Sequence, residues 1–345
     1  MKKGCRFGTH RVLEPKGVLP QPAWKVDNDM EIFDNEILID VRTLNIDSAS
    51  FTQIKKETGG NEGKIKETIL DIVAKRGKHH NPVTGSGGML IGTIEKIGPS
   101  LAEKIPLQVG DKIATLVSLS LTPLRIDEIL VVHQAKDQVD IKGKAILFES
   151  GLYAKLPQDL PENLALAMLD VAGAPAQTAK LVKPGDRVLI IGAGGKSGML
   201  CAYEAKKRAG VSGQVIGLDY DDNSVRRMRE LGHVDEVIQG DATNAVAVYQ
   251  TVEKVTAGEM ADLTINCVNV PNTEMAAILA TRNRGMVYFF SMATSFTAAA
   301  LGAEGVGKDI TMIVGNGYTK DHAEIALSIL KESPAIFQMM EKLYT

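Results

Sequence analysis

Seven residues constrain this chain more than any others: Gly192-Ala193-Gly194-Gly195-Lys196-Ser197-Gly198. They follow a wholly apolar run, 188–191, and precede a stretch of helix formers, 199–209, stopped by Gly210. Such a run suits a parallel strand buried on both faces. Glycines between a strand and a helix let the backbone turn tightly and approach a pyrophosphate, whose charge is met by the helix N-terminal N–H groups. The strict G-x-G-x-x-G spacing fails, because Ser197 stands where the third glycine should fall. The segment instead fits G-x-x-G-x-x-G through Gly192, Gly195 and Gly198. A glycine motif alone is weak evidence; a strand before it, a helix after it and an acidic residue ending the next strand make it strong. Asp219 is that residue, 27 positions after Gly192. A carboxylate there accepts hydrogen bonds from the adenosine ribose hydroxyls and repels a 2′-phosphate, so NAD is expected over NADP. Arg226 and Arg227 soften that preference, and a loop-capping role is the plainer alternative for Asp219.

The strand and helix alternation continues. Residues 215–218 form a second apolar run, 222–231 a helix closed by Gly232, 236–238 a third strand and 245–255 the next helix. Further strands are expected at 263–268, 286–290 and 310–314, with a helical stretch at 272–279. This pattern predicts an α/β fold, a Rossmann-type doubly wound parallel sheet with helices on both faces. The first 150 residues read differently. β-type runs at 36–41, 92–97, 112–117 and 129–132 are separated by Gly, Pro and Asp. One amphipathic helix interrupts them: Ile65, Ile69, Leu70, Ile72 and Val73 are expected on one face, with Lys75, Arg76 and Gly77 closing it. The expected organisation is a β-rich domain over 1–157 and a Rossmann domain over 158–314, with 315–345 packing back onto the first.

Composition excludes several functions. Thirty-nine basic residues against 42 acidic ones leave a net charge of -3, which argues against a nucleic-acid partner. No apolar run approaches the roughly 18 residues of a membrane span. No apolar stretch follows the basic residues near the start, so no signal peptide is read. A soluble, cytoplasmic protein is expected. Cys5, Cys201 and Cys267 are too widely spaced for a disulfide framework or a metal cluster. Cys201 and Cys267 read as small packed thiols. Cys267, Val268 and Asn269 also fall where the fourth strand's carboxyl end opens onto a cofactor crevice. The expected cofactor contacts are therefore Gly192, Gly194, Gly195, Lys196, Ser197, Gly198, Asp219, Cys267, Val268 and Ser291.

Three stretches carry a resemblance that covers essentially the whole chain: Glu36-Ile37-Leu38-Ile39-Asp40-Val41, Val109-Gly110-Asp111-Lys112-Ile113 and Lys183-Pro184-Gly185-Asp186-Arg187-Val188. With a β-rich half ahead of a nucleotide-binding half, they resemble the medium-chain dehydrogenase/reductase superfamily. The resemblance implies a GroES-like catalytic domain before the Rossmann domain. Where zinc-dependent members carry a catalytic cysteine, this chain has Leu44-Asn45-Ile46-Asp47-Ser48, and in place of Gly-His-Glu it has Gly87-Gly88-Met89. The third ligand position offers only Asp170, and one carboxylate without nitrogen or sulfur partners makes a poor zinc site. No metal is expected. A closer resemblance lies in Gly4-Cys5-Arg6-Phe7-Gly8-Thr9-His10-Arg11-Val12, in Gly17-Val18-Leu19-Pro20-Gln21-Pro22-Ala23-Trp24 and in Asn45-Ile46-Asp47-Ser48-Ala49-Ser50-Phe51. These are similar to the L-erythro-3,5-diaminohexanoate dehydrogenase family of bacterial lysine fermentation. That likeness implies oxidation of the C3 amine of the diamino acid with NAD, giving 5-amino-3-oxohexanoate and ammonia. A zinc-free quinone or enoyl reductase of the same superfamily is the alternative, and a non-catalytic NAD sensor is a third reading. A homo-oligomer, dimer or tetramer, is the expected assembly.

The chemistry suits the missing ligands. An alcohol must lose a proton to donate hydride well, and zinc assists by stabilising the alkoxide. A neutral amine expels hydride with its own lone pair and needs a base to take the ammonium proton first. Asp47 occupies the superfamily's vacated ligand position, so the resemblance sets it facing the nicotinamide, as base or as holder of the second amine. The plainer alternative is an Asx-turn carboxylate. Ser48 can donate to the substrate carboxylate, or simply form the turn. Asp170, in the apolar stretch 164–174, is either paired in the core or pointed into a cleft. His79, with His80, stands either at the cleft mouth or exposed on a surface loop. His10 and Arg11 read as a carboxylate-binding pair or as members of a structural salt bridge.

Overall fold

Long antiparallel strands build the first of two units into which the chain divides, Met1–Leu160 and Pro161–Thr345. The structure is a computed structural model that describes residues 2–315 and 317–344; Met1, Asn316 and Thr345 lie outside the described residues.

The first unit runs β1 (Val12–Glu14), β2 (Lys25–Val26), β3 (Glu36–Ile46), α1 (Ser48–Glu57), α2 (Glu62–Arg76) and β4 (Gly88–Ile97). It continues through α3 (Pro99–Ala102), β5 (Lys112–Thr115), β6 (Leu124–His133), β7 (Gln138–Phe148) and β8 (Tyr153–Lys155). β1 and β2 form a small ribbon, and the remaining strands form a sheet in the order β6-β7-β3-β4-β5-β8, antiparallel throughout. β3 lies at its centre. Its residues Ile37, Ile39 and Val41 alternate into the core, and a register shift between Val41 and Thr43 reverses the parity, so Leu44 and Ile46 also face inward. An extra residue in one strand moves every later side chain to the other face. The expected strands 36–41 and 92–97 are therefore the visible parts of longer ones, and β7 stands where no strand is expected.

Phe51 and Ile54 of α1, with Ile65, Ile69, Ile72 and Val73 of α2, cover the core side of this sheet. Two helices stand where one was expected, besides the single turn of α3. Leu70 is exposed, a correction to its placement on the apolar face. It lies one position past Ile69, about 100° around the helix.

The second unit runs α4 (Glu162–Leu169), α5 (Gly173–Leu181), β9 (Arg187–Ile191), α6 (Lys196–Ala209), β10 (Gln214–Asp219), α7 (Asp222–Leu231), β11 (Glu236–Gln239) and α8 (Ala245–Val255). It continues through β12 (Ala261–Asn266), α9 (Glu274–Ala280), β13 (Thr281–Phe289), α10 (Phe296–Gly305), β14 (Thr311–Val314), α11 (His322–Glu332) and α12 (Pro334–Tyr344). The six strands are all parallel in the order β11-β10-β9-β12-β13-β14. Counted from β9 this is the 3-2-1-4-5-6 order of the Rossmann fold. Leu189 and Ile191 enter one core layer and Val188 and Ile190 the other, which is why the run reads as continuously apolar.

α11 packs on α4, α5 and α6, and α12 on α4, α6 and α11. The C-terminal segment thus belongs to the second unit, correcting the expectation that it packs back onto the first. The buried stripe Ala323, Ala326, Leu327 and Leu330 finds its cover on helices of its own unit. Among the described residues no helix is long and apolar enough to cross a membrane.

Candidate functional site

The glycine loop leaves β9 at the point where the strand order reverses. Ile191 O accepts from Cys267 N at 2.9 Å, while Gly192 N donates to Leu218 O at 2.8 Å. The loop therefore opens between β10 and β12, where doubly wound folds bind their ligands. Gly192 has a φ of 82°, and a Cβ there would stand 3.0 Å from Val268 N. A Cβ on Gly194 would strike Ser224 of α7, and one on Gly198 would strike the Gly192 carbonyl. At Gly195, the N-cap of α6, the nearest atom lies at 3.3 Å. Packing therefore demands Gly192, Gly194 and Gly198, and leaves Gly195 as backbone open to approach. The first N–H groups of α6 have no partner within the helix, as at any helix start.

Asp219 ends β10 with one oxygen turned to this loop: Oδ2 accepts from Gly194 N at 2.9 Å, while Oδ1 accepts from the following Tyr220 N at 2.8 Å. A cavity of about 300 Å³ runs along Ile191, Gly192, Leu218, Asp219, Val268 and Val270, and Tyr220, Ala242 and Thr243 extend it. Ser291, just past β13, meets Asn269 Oδ1 through its hydroxyl at 3.4 Å. Ser197 is buried in the first turn of α6. Lys196 holds Asp170 at 2.6 Å, and its ammonium lies 5.2 Å from the Tyr344 ring centre. Asp170 is thus an exposed partner of the loop lysine. Arg227 donates to the Gly194 carbonyl at 2.8 Å, a hold on the loop that no local pattern announces. The glycine cradle, the helix start and the carboxylate fit a dinucleotide.

In the first unit, Asp47 caps α1. Its Oδ1 accepts from Ala49 N and from Ser86 Oγ, both at 3.0 Å. Ser86, Ser50 and Thr84 share hydroxyl hydrogen bonds of 2.6 to 3.0 Å. Gly88 has a φ of 114°, and a side chain there would collide with the Asn45 carbonyl. The glycine lets β4 begin against the end of β3, which brings Ser86 to Asp47. Ser48 turns away and donates to Asp137 Oδ2. Sequence reasoning missed Ser50, Thr84 and Ser86, because hydroxyls in turn-forming stretches carry no signal of convergence.

His79 is corrected. It is fully buried, neither ring nitrogen has a partner at hydrogen-bonding geometry, and burial pulls its pKa down to about 4. The loop after it is held inward by Asn81, which accepts from Val83 N at 2.8 Å and donates to Gln53 at 2.8 Å. The adjoining Lys78 is also buried, on the carbonyls of Pro20 at 2.6 Å and Gln21 at 2.9 Å, and burial takes its pKa to about 7. His10 and Arg11 belong to a structural cluster: Arg11 pairs with Glu36 at 2.7 Å and His10 with the same carboxylate at 2.9 Å. Among the described residues no three His, Cys, Asp or Glu side chains are gathered as a metal site.

A β-rich unit followed by a parallel 3-2-1-4-5-6 sheet, with a glycine loop and a carboxylate at the switch point, is the fold expected of the medium-chain dehydrogenase/reductase superfamily. Two solved structures share that fold: a mycobacterial quinone oxidoreductase (TM-score 0.55, 17% identity, 91% of this chain and 86% of that one) and the Escherichia coli quinone oxidoreductase complexed with NADPH (0.52, 15%, 88% and 81%). The chain belongs to the L-erythro-3,5-diaminohexanoate dehydrogenase family. It is 66% identical over 342 residues to the enzyme of that name from Acetoanaerobium sticklandii, covering 99% of each, and 63% identical over 344 residues to the one from Fusobacterium nucleatum, covering 100% of each. Residues 10–157 match the family model described as the L-erythro-3,5-diaminohexanoate dehydrogenase N-terminal domain.

Proposed function

We propose that the protein oxidises L-erythro-3,5-diaminohexanoate at C3 with NAD, releasing 5-amino-3-oxohexanoate and ammonia, as a cytoplasmic step of lysine breakdown. The observation that carries this reading is the 66% identity, along 99% of the chain, with a dehydrogenase of that name. The quinone oxidoreductases share the fold at 15 to 17% identity, which says nothing of substrate.

NAD, when bound, supplies the nicotinamide ring that accepts the hydride. The loop backbone at Gly195 and the N–H groups opening α6 hold its pyrophosphate. Asp219 receives the adenosine ribose hydroxyls, and its charge disfavours a 2′-phosphate. Lys196 adds a cation beside the loop, and Asp170 fixes that cation in place. Val268 and Ser291 line the crevice beyond.

Asp47 takes the proton from the C3 ammonium. The hydrogen bonds from Ala49 N and Ser86 Oγ both fall on Oδ1, which leaves Oδ2 to act. The neutral amine then expels hydride with its lone pair, water adds to the iminium carbon, and ammonia departs. No step needs a Lewis acid, because no alkoxide forms.

A spectrophotometric screen with NAD and with NADP tests this, using 3,5-diaminohexanoate, 3-aminobutyrate, simple alcohols and quinones. Turnover of the diamino acid with NAD is expected, with an increased KM for NAD in Asp219→Ala. Activity on quinones alone, or a preference for NADP of about tenfold, would overturn it.

A further inference from the structure

Two cysteines 66 residues apart in sequence bring their Sγ atoms to 3.9 Å. Cys201 faces inward from α6 among Ala174, Ala205 and Tyr288, and is fully buried. Cys267 is the first residue after β12, half-buried, with its N–H on the Ile191 carbonyl. The next residue, Val268, lies so close to Gly192 that a Cβ there would be 3.0 Å from its backbone nitrogen. Both thiols are free.

We infer that Cys201 and Cys267 are an oxidisable pair whose disulfide closes the dinucleotide crevice. Formation of the bond stands on the sulfur geometry alone; its effect on the crevice rests on the dinucleotide reading. An S–S bond brings the sulfurs about 2 Å closer, a shift within reach of side-chain rotation and a small backbone movement. It ties α6 to the segment that carries Val268, beside the glycine loop.

The order of events follows from exposure. Burial raises the pKa of Cys201 far above that of an ordinary thiol, so Cys267, the partner that solvent reaches, reacts first. With a peroxide as oxidant, the Cys267 sulfur attacks one oxygen, the O–O bond breaks, and a sulfenic acid and water result. The Cys201 sulfur then attacks the sulfenic sulfur; the S–S bond forms and the hydroxyl leaves with the Cys201 proton as a second water. Two thiols lose two electrons, and the peroxide gains them.

Cys5 competes for oxidant, because a hydrogen bond with the Thr9 side chain lowers its pKa. The test therefore uses the full-length Cys5→Ser protein, treated with one equivalent of hydrogen peroxide. Intact mass should fall by about 2 Da, return with dithiothreitol, and not fall when Cys201→Ala is added. NADH affinity should weaken at least about tenfold on oxidation and recover on reduction. A mass gain of about 16 or 32 Da with Cys201 still alkylatable would overturn the pair. An oxidised protein that forms the bond yet binds NADH unchanged would overturn the closure. Titration of the reduced protein separates the two readings: if it fails to bind NADH the crevice reading falls, while the mass still reports on the bond.

Discussion

Asp47 caps α1 and is proposed to take the substrate proton, and single substitutions separate the two. One oxygen caps α1 through Ala49 N, and the proposed chemistry uses the other. Asparagine keeps a capping oxygen but cannot take a proton. Asp47→Asn should therefore unfold within about 0.5 kcal/mol of wild type, whereas Asp47→Ala should lose about 1 kcal/mol with the cap. The folded Asn variant should turn over roughly 10²-fold more slowly or worse, the usual scale for losing a general base. A raised KM at unchanged kcat would instead assign Asp47 to holding the distal amine. Wild-type kinetics would remove it from the site. Glu36 offers a test of stability. Burial pushes its carboxyl up, but hydrogen bonds from His10 and Arg11 outweigh this and hold it at about 2, below the ordinary 4.5. A folded pKa below the unfolded one gives stability that is complete above 4.5 and lost as pH falls through that window toward 2. Urea melts of wild type should show that loss. Glu36→Gln should flatten it while costing about 3 to 5 kcal/mol near neutrality, because Arg11 stays buried without the carboxylate that holds it at 2.7 Å. A wild-type melt that does not change across the window would contradict the assignment.

The glycine loop and its helix give the next test. A Cβ at Gly198 meets the Gly192 carbonyl and, at 2.7 Å, Ala193 Cα, both backbone atoms that cannot step aside. Gly198→Ala should cost about 1 to 3 kcal/mol in thermal melts and weaken NADH binding. Gly195→Ala meets nothing nearer than 3.3 Å, so it should fold normally and raise only the KM for NAD. Equal destabilisation by both would contradict these roles. The G-x-x-G-x-x-G spacing found the loop but not the reason for Gly194, which exists only once α7 brings Ser224 against it. α1 was illegible for a similar cause. Its buried residues are Ser50, Phe51 and Ile54, too few for a helical stripe, and its cap reads equally well as a turn.

Across the whole chain, legibility followed burial. Strands covered on both faces announce themselves as apolar runs, so the Rossmann unit was readable nearly strand by strand. The β-rich unit was harder, because the shift between Val41 and Thr43 breaks the alternation that marks a half-buried strand. The apolar stripe of α11 said that something covers it, but not that α4, α5 and α6 do. The same limit applies to the site: Asp47 and Asp219 stood out by position, whereas the hydroxyls of Ser50, Thr84 and Ser86 meet only through folding. The proposed reaction removes an amine by hydride transfer to NAD. Ammonia and NADH measured in one incubation with L-erythro-3,5-diaminohexanoate and NAD test it most directly. Equal amounts of both products are expected at every time point. NADH formed without ammonia, or no NADH from the diamino acid while a quinone is reduced, would contradict it.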